Sequence, residues 1–438
     1  MIETVVIYLL LFVLWLEPTF GKAVSTGIKG VSLANMAIAL IILGWLLSNA
    51  FKRQNFQWNN LYKYIIGLVW VVAMSIPYKA LNGEFRHVSM LHEIVAFKGW
   101  VEPFILFVLI FNLARSKLII KRITFGLMTV VILSALVTIL VVTKVALIGA
   151  LQIEHGGYWP VFAEPNQYAA YLVLMFPIFI SYTLLGSRLS GRIVSALSCI
   201  TIMCALIASG SRGGLLSFCV SIFTLFWILK SFKGKARKGI LTAGVILIVL
   251  VSISLFVLPS RLEQRTSARV AVEEGADLNK YSSGRLDIWK SSFSYFLKEP
   301  LFGLGLNGYH DIIEKLTGSP SNSHNNYLQY LADHGIIGFG VFALLILGVL
   351  RSGLKALREA NDDFGIILFS GFFVGMVGFS IAIFFVVVLH LWSLVMIYSA
   401  VTLKYAQLDA EENSAPNPIH ESVVSYSYGS GLKGVIGG

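Results

Sequence analysis

Residues 123–143 read ITFGLMTVVILSALVTILVVT and contain no Asp, Glu, Lys or Arg. As a helix rising about 1.5 Å per residue, a run of this length reaches across the roughly 30 Å hydrocarbon core of a bilayer. Lys121 and Arg122 precede it and Lys144 follows, so the charges stand where the segment leaves the lipid. Similar runs recur along most of the chain. Of its 438 residues 56% are hydrophobic and only 13% charged, against about a quarter charged in a soluble domain. This composition predicts a polytopic membrane protein.

Hydropathy places about twelve transmembrane helices, near 2–20, 31–50, 62–81, 91–113, 123–143, 167–185, 193–209, 213–230, 239–258, 336–350, 364–387 and 389–404. The expected organisation is helices 1–9 over 1–258, an external loop over 259–335, helices 10–12 over 336–404, and a disordered cytoplasmic tail over 405–438. The N-terminal run lacks a basic n-region and an A-x-A cleavage site, so it reads as a retained first span. With the N-terminus cytoplasmic, basic residues concentrate in the inner loops: Lys52, Arg53 and Lys63; Arg115, Lys117, Lys121 and Arg122; Arg188 and Arg192; Lys230, Lys233, Lys235, Arg237 and Lys238; Arg351, Lys355 and Arg358. The short outer loops hold Lys22, Lys29, Lys79, Arg86, Lys144 and Arg212. Basic loops stay inside, so the net charge of +11 is a record of topology and does not point to nucleic acid. Cys199, Cys204 and Cys219 lie within apolar segments and read as packing residues.

The loop 259–335 is balanced in charge like a soluble subdomain, and loops of this length are usually functional. From Arg285 to Leu297, apolar Leu286, Trp289, Phe293 and Phe296 share one helical face. Ser283 is placed to cap this helix and Pro300 to stop it. A second short helix is expected over Asn325–His334, capped by Ser323 or Asn325 and ended by Gly335. GLGLNGY (Gly303–Tyr309) reads as a flexible turn between them. Both helices are expected to lie along the outer membrane surface.

Topology brings three separated polar residues to the external face: Arg212 in SGSRGG, Arg285 in SSGRLDIW and His324 in SHNNYLQYL. An arginine fork matches phosphate oxygens two at a time. Two of them at a lipid surface suit a pyrophosphate whose tail lies in the bilayer, with helix N–H groups after Arg212 as further donors. His324 at a helix start, near arginine, is biased toward the neutral imidazole that a general base requires. Singly, each has an ordinary reading: a headgroup contact, a solvated helix residue and a loop histidine.

Glu93 and Lys98 stand in the outer half of the fourth span, where charge is costly unless it lines a cavity or is paired. Lys98 and Glu102, four apart, can also pair with each other. In FAEPNQYAAY (Phe162–Tyr171), Glu164 and Asn166 mark a helix start and either cap it or contact a sugar, with Asn a favoured cap. A zinc site from His310, Glu314 and His324 fails on spacing, and neither an HExxH pattern nor a Gly-x-Ser-x-Gly elbow occurs.

FAEPNQYAAY, SGSRGGLLSF, SSGRLDIWKSSFSYFLKEPLFGLGLNGY and NSHNNYLQYLADHGIIGFG, in this order over about 155–345, resemble the successive signatures of the O-antigen ligase and O-antigen polymerase family. The resemblance implies a GT-C-like membrane glycosyltransferase at the external face of a bacterial inner membrane. It would pass a glycan from undecaprenyl diphosphate to a hydroxyl acceptor (another glycan, lipid A-core or a protein side chain) without metal or cofactor. Arg212 and Arg285 match the arginines expected to bind the diphosphate, and His324 the histidine expected to activate the acceptor. Glu164, Asn166 and Lys98 are further candidates for substrate contact. A lipid-linked oligosaccharide flippase or secondary transporter is the alternative, although no internal repeat of the transporter kind is visible.

Overall fold

A computed structural model of the chain describes residues 33–52, 56–81, 90–142, 152–154, 157–159, 164–231, 284–317, 321–388 and 391–414. The expected spans at 2–20 and 239–258, the loop residues 259–283 and the tail beyond 414 lie outside these residues. Twelve helices are described: α1 (Leu33–Lys52), α2 (Tyr62–Leu81), α3 (Met90–Leu113), α4 (Lys117–Val142), α5 (Pro165–Leu185), α6 (Leu189–Ser209), α7 (Arg212–Ser231), α8 (Arg285–Lys298), α9 (Gly308–Thr317), α10 (Asn326–Arg358), α11 (Asp363–Ala382) and α12 (Leu391–Ser414). A small antiparallel hairpin, β1 (Gln152–Glu154) and β2 (Gly157–Trp159), interrupts the helical order.

Six segments are long and apolar enough to cross a membrane: Glu93–Leu113, Lys117–Val141, Pro165–Leu185, Leu189–Ser209, Asn326–Arg358 and Asp363–Ala382. The chain is therefore a multi-pass, essentially all-helical membrane protein. Helix α5 is buried almost along its whole length and packs most closely against α11. Gly371 and Gly375 of α11 allow this, because a Cβ at either would strike the α5 backbone at Ile178 or Leu174. Small residues are how membrane helices gain close contact when lipid supplies no hydrophobic drive. Helix α12 is buried from Leu391 to Tyr405. Enclosure by other helices suits its Ser393, Ser399, Thr402 and Lys404, all buried.

The two ends of the bundle are chemically distinct. At one end, Lys117 Nζ of α4 donates to Asp409 Oδ1 of α12 (2.6 Å), and Asn361, between α10 and α11, donates its backbone N–H to Asp409 Oδ2 (3.2 Å). Helix α12 thus continues to Ser414, beyond Tyr405 where disorder is expected from the polar sequence, because Asp409 is clamped there. At the other end, Lys79 Nζ of α2 donates to Glu93 Oε1 of α3 (2.8 Å), to Asp311 Oδ2 of α9 (2.6 Å) and to the Leu306 carbonyl (3.2 Å). Lys79 and Glu93 are both buried, and two buried charges are tolerable only when paired in this way. Glu93 is accordingly paired, and through Lys79 it belongs to a tie between α2, α3 and α9.

Helix α10 is broken at Gly335 (φ 59°, ψ −165°). The short helix 326–334 and the following span are therefore separate, as the position of Gly335 predicts. The segment after α8 lies across the break and satisfies it. Leu304 and Gly305 N–H donate to the Ala332 and Asp333 carbonyls (2.9 and 2.8 Å), and Ile336 N–H donates to the Pro300 carbonyl (2.8 Å). GLGLNGY is consequently a clamped connection and not a flexible turn. It leads into α9, a helix absent from the expectation although Tyr309, Ile312, Ile313 and Leu316 fall on one helical face. A side chain at Gly335 would strain the left-handed backbone and run into the Leu301 carbonyl. Gly335→Ala is expected to destabilise the protein by more than about 2 kcal/mol, read as a lowered Tm in detergent. Gly340→Ala, where a Cβ meets open space, serves as the control.

Candidate functional site

The site forms where the N-termini of α5, α7, α8 and the short first part of α10 meet the break between α11 and α12. Pro165 occupies the first turn of α5, and Glu164 before it is extended (φ −151°, ψ 154°) with no side-chain cap bond. Glu164 stands at the cap position of α5 but its side chain makes no cap bond, and Asn166 is turned to α7 instead. Asn166 Oδ1 accepts the Ser211 hydroxyl (2.7 Å). Ser211 Oγ in turn accepts the Gly214 N–H (3.1 Å) and fastens the first turn of α7, where Arg212 is exposed. Gly214 permits the approach, since a Cβ there would meet Ala169 of α5. Helix α8 begins at Arg285 with left-handed Gly284 in the cap position; Ser283, the expected cap, lies outside the described residues. Trp289 of α8 stands edge-on to Phe384 in the α11–α12 break (5.3 Å between centroids).

The loop before α10 is built largely from side chain-to-backbone hydrogen bonds. Asn325 is the cap, its Oδ1 accepting from the Tyr327 and Leu328 N–H groups (3.0 and 3.2 Å). Ser323 donates to the Asn325 carbonyl (2.7 Å), and its own N–H donates to Gln329 Oε1 (3.0 Å). Gln329 Nε2 donates to Asp333 Oδ2 (2.8 Å), whose other oxygen accepts the Tyr309 N–H (2.8 Å). The loop is thereby tied to α9 and, through α9, to Lys79. Asn326 accepts the Val388 N–H (3.2 Å), and Gln167 of α5 donates to the Val387 carbonyl (3.1 Å), so the chain break is pinned beside the same loop.

Within this frame His324 is held at φ 48°, its N–H donating to Asn322 Oδ1 (2.8 Å). Left-handed backbone is uncommon outside glycine and clusters at functional sites. His324 Nδ1 lies 3.8 Å from Glu164 Oε2, and Nδ1 and Glu164 Oε1 are both buried without a hydrogen-bond partner. Burial pushes the Glu164 carboxyl up to about 7, against the opposing pull of Arg285 and a hydrogen bond from Gln167. Burial, and then the Arg285 charge, hold His324 below its ordinary value. Burial and Arg212 likewise lower Arg285, while Glu164 opposes them. Arg212, Arg285, Glu164 and His324, separated by up to 160 residues of sequence, therefore share one electrostatic site. Lys98 is exposed on α3, and the charges acting on Glu164, Arg285 and His324 do not include it.

Two arginines beside a hydrogen-bonded helix start can hold a dianion, and a histidine kept neutral beside them can take a proton. A second cluster lies apart on α9, where His310, Asp311 and Glu314 bring ligand atoms within 4.8 Å of one another. His324 is not part of it. Asp311 is already committed to Lys79, and His310 is pushed up chiefly by its hydrogen bond with Asp311, which favours an ion-paired cluster over metal ligation. The participation of Gln167, Gln329 and Asp333 is not readable from the sequence, because their partners, the Val387 carbonyl, Ser323 N–H and Tyr309 N–H, are set by tertiary contact.

Fold and site together define a multi-pass membrane protein with a cationic, histidine-bearing site at the N-termini of α5, α7, α8 and α10. Residues 196–343 match the family model described as O-antigen ligase, and this match supports the O-antigen ligase and polymerase family. The matched segment holds Arg212, Arg285 and His324, and excludes Glu164 and Asn166. The chain is also 26% identical over 166 residues to a protein of Haemophilus influenzae described as uncharacterized. That similarity covers 35% of this chain and 41% of the relative.

Proposed function

We propose that the protein is a GT-C-like membrane glycosyltransferase that moves a glycan from undecaprenyl diphosphate to a hydroxyl acceptor, as an O-antigen or exopolysaccharide polymerase or ligase. About twelve spans would cross the bacterial inner membrane, with the site facing the periplasm or exterior. The observation that carries the reading is the shared site of Arg212, Arg285 and His324. The arginines would hold the diphosphate. His324 would take the acceptor proton as the acceptor oxygen attacks the anomeric carbon. The carbon–oxygen bond to the diphosphate then breaks with inversion, its electron pair leaving on the phosphate oxygen next to the arginines. No metal is assigned a step. Asn166, fixed against Ser211, and Lys98 would contact donor or acceptor sugars.

Lipid contact is argued from exposed apolar side chains. Phe293 and Leu297 of α8, with Leu301 and Phe302 beyond it, are exposed next to Ile336 and Ile337 at the start of the α10 span. An interfacial helix presents this kind of face to lipid, which would set the diphosphate cradle at headgroup height.

The test is reconstitution in liposomes with a polyprenyl diphosphate-linked glycan. Product joined to an acceptor, with release of polyprenyl diphosphate, is expected. Movement of intact donor between leaflets without transfer would support the flippase alternative and sink this reading.

A further inference from the structure

We infer that Glu164 is the positioning partner of His324: its carboxylate accepts the imidazole Nδ1–H, leaves Nε2 as the basic nitrogen and stabilises the imidazolium formed when the acceptor hydroxyl loses its proton. The inference rests on the glycosyltransferase reading and adds a residue outside the segment that the family model matches.

Four observations support it. The Nδ1–Oε2 distance is 3.8 Å, which a small side-chain rotation shortens to the hydrogen-bond range of about 2.7–3.2 Å. Catalytic hydrogen bonds are commonly loose before substrate binds. Both Nδ1 and Glu164 Oε1 are buried without partners, and buried polar groups left unpaired carry a penalty that pairing relieves. Each group is also held from behind: Glu164 by extended backbone ahead of Pro165, His324 by the Asn322 bond and its left-handed backbone. Finally, the Glu164 side chain is unused by the helix it precedes. A contact between Glu164 and sugar alone would not require an unpartnered imidazole nitrogen facing its carboxylate.

The charged and titratable groups acting on the pair are Arg285 from α8 and, through Arg285, Arg212 from α7; Gln167 on α5 adds a hydrogen bond. With Glu164 protonated, an acceptor proton would create imidazolium beside a neutral acid and a cationic arginine. With Glu164 ionised, the new charge is balanced. Turnover therefore rises as Glu164 loses its proton, through pH about 7.

The experiment compares reconstituted wild type, Glu164→Gln, Glu164→Asp, His324→Ala and the Glu164→Gln/His324→Ala double variant, following kcat and donor KM between about pH 5 and pH 9. Glu164→Gln is expected to lower kcat by about 10–100-fold, to leave donor KM unchanged and to lose the limb near neutrality. Glu164→Asp keeps a limb, which separates charge from folding. In the His324→Ala background Glu164→Gln has no further effect, because it acts through the imidazole. A raised donor KM with intact kcat and limb in Glu164→Gln would overturn the inference in favour of a sugar contact. So would an undiminished effect of Glu164→Gln without His324. Full activity of His324→Ala would instead remove the base on which the function itself is proposed.

Discussion

His324→Ala is expected to lose glycan transfer by about 10²–10⁴-fold, the usual contribution of a positioned general base, at unchanged membrane abundance and donor binding. The reasoning starts from what the side chain does not do. The frame of the loop is made by Asn322, Ser323, Asn325, Gln329 and Asp333, and the His324 imidazole supplies none of those bonds. Removing it leaves the cap of α10 intact. The backbone does need care, because φ 48° is unfavourable for alanine. His324→Asn, which tolerates left-handed backbone but has no basic nitrogen, should therefore be as inactive as His324→Ala and at least as stable. Activity that survives in His324→Asn at the wild-type rate would exclude the imidazole as base. In the wild type, burial and Arg285 hold His324 below its ordinary value. The imidazole is thus neutral at pH 7 and ready to accept a proton.

The second large effect is at the arginines. Arg285→Ala is expected to reduce transfer by about 10²–10³-fold, comparable to the loss of one preorganised donor to a developing charge. Donor binding weakens together with kcat. Arg285→Lys recovers only part of this, since an ammonium does not reproduce the planar two-point grip. Arg212→Ala acts in the same direction. In the proposed mechanism it holds the same dianion, so the double variant should cost less than the sum of the two. A pH signature separates Arg285 from a residue that merely folds the loop. Its charge lowers both Glu164 and His324. With the charge gone both groups move upward, and the acidic limb of the residual activity shifts to higher pH. An unmoved limb, or unchanged donor affinity, would remove Arg285 from the site.

Legibility differed between the parts of the molecule. The break in α10 at Gly335 was readable because glycine ends a helix in a way other residues do not. Arg285 as the start of α8 was readable from its apolar spacing. Helix α9 was legible as well, since Tyr309, Ile312, Ile313 and Leu316 fall at i, i+3, i+4 and i+7, but its ties, Tyr309 N–H on Asp333 and Asp311 on Lys79, were not. Glu93 and Lys79 looked like separate charges on separate spans, and only their contact with Asp311 shows them to be one buried tie. Asn166 looked like a helix cap, since residue preference cannot see Ser211 approaching from α7.

Hydropathy and charge in the sequence alone determined that this is a multi-pass membrane protein. Lipid imposes length and polarity on every span, whatever its neighbours. The ordered motifs also marked Arg212, Arg285 and His324 as the residues to watch. Their meeting was decided by tertiary structure: close glycine contacts between helices, the clamp across Gly335 and the pinned break between α11 and α12. The pairing of Glu164 with His324 belongs wholly to that level. Its chemistry depends on burial and on distance to Arg285, and neither quantity exists until the helices are packed.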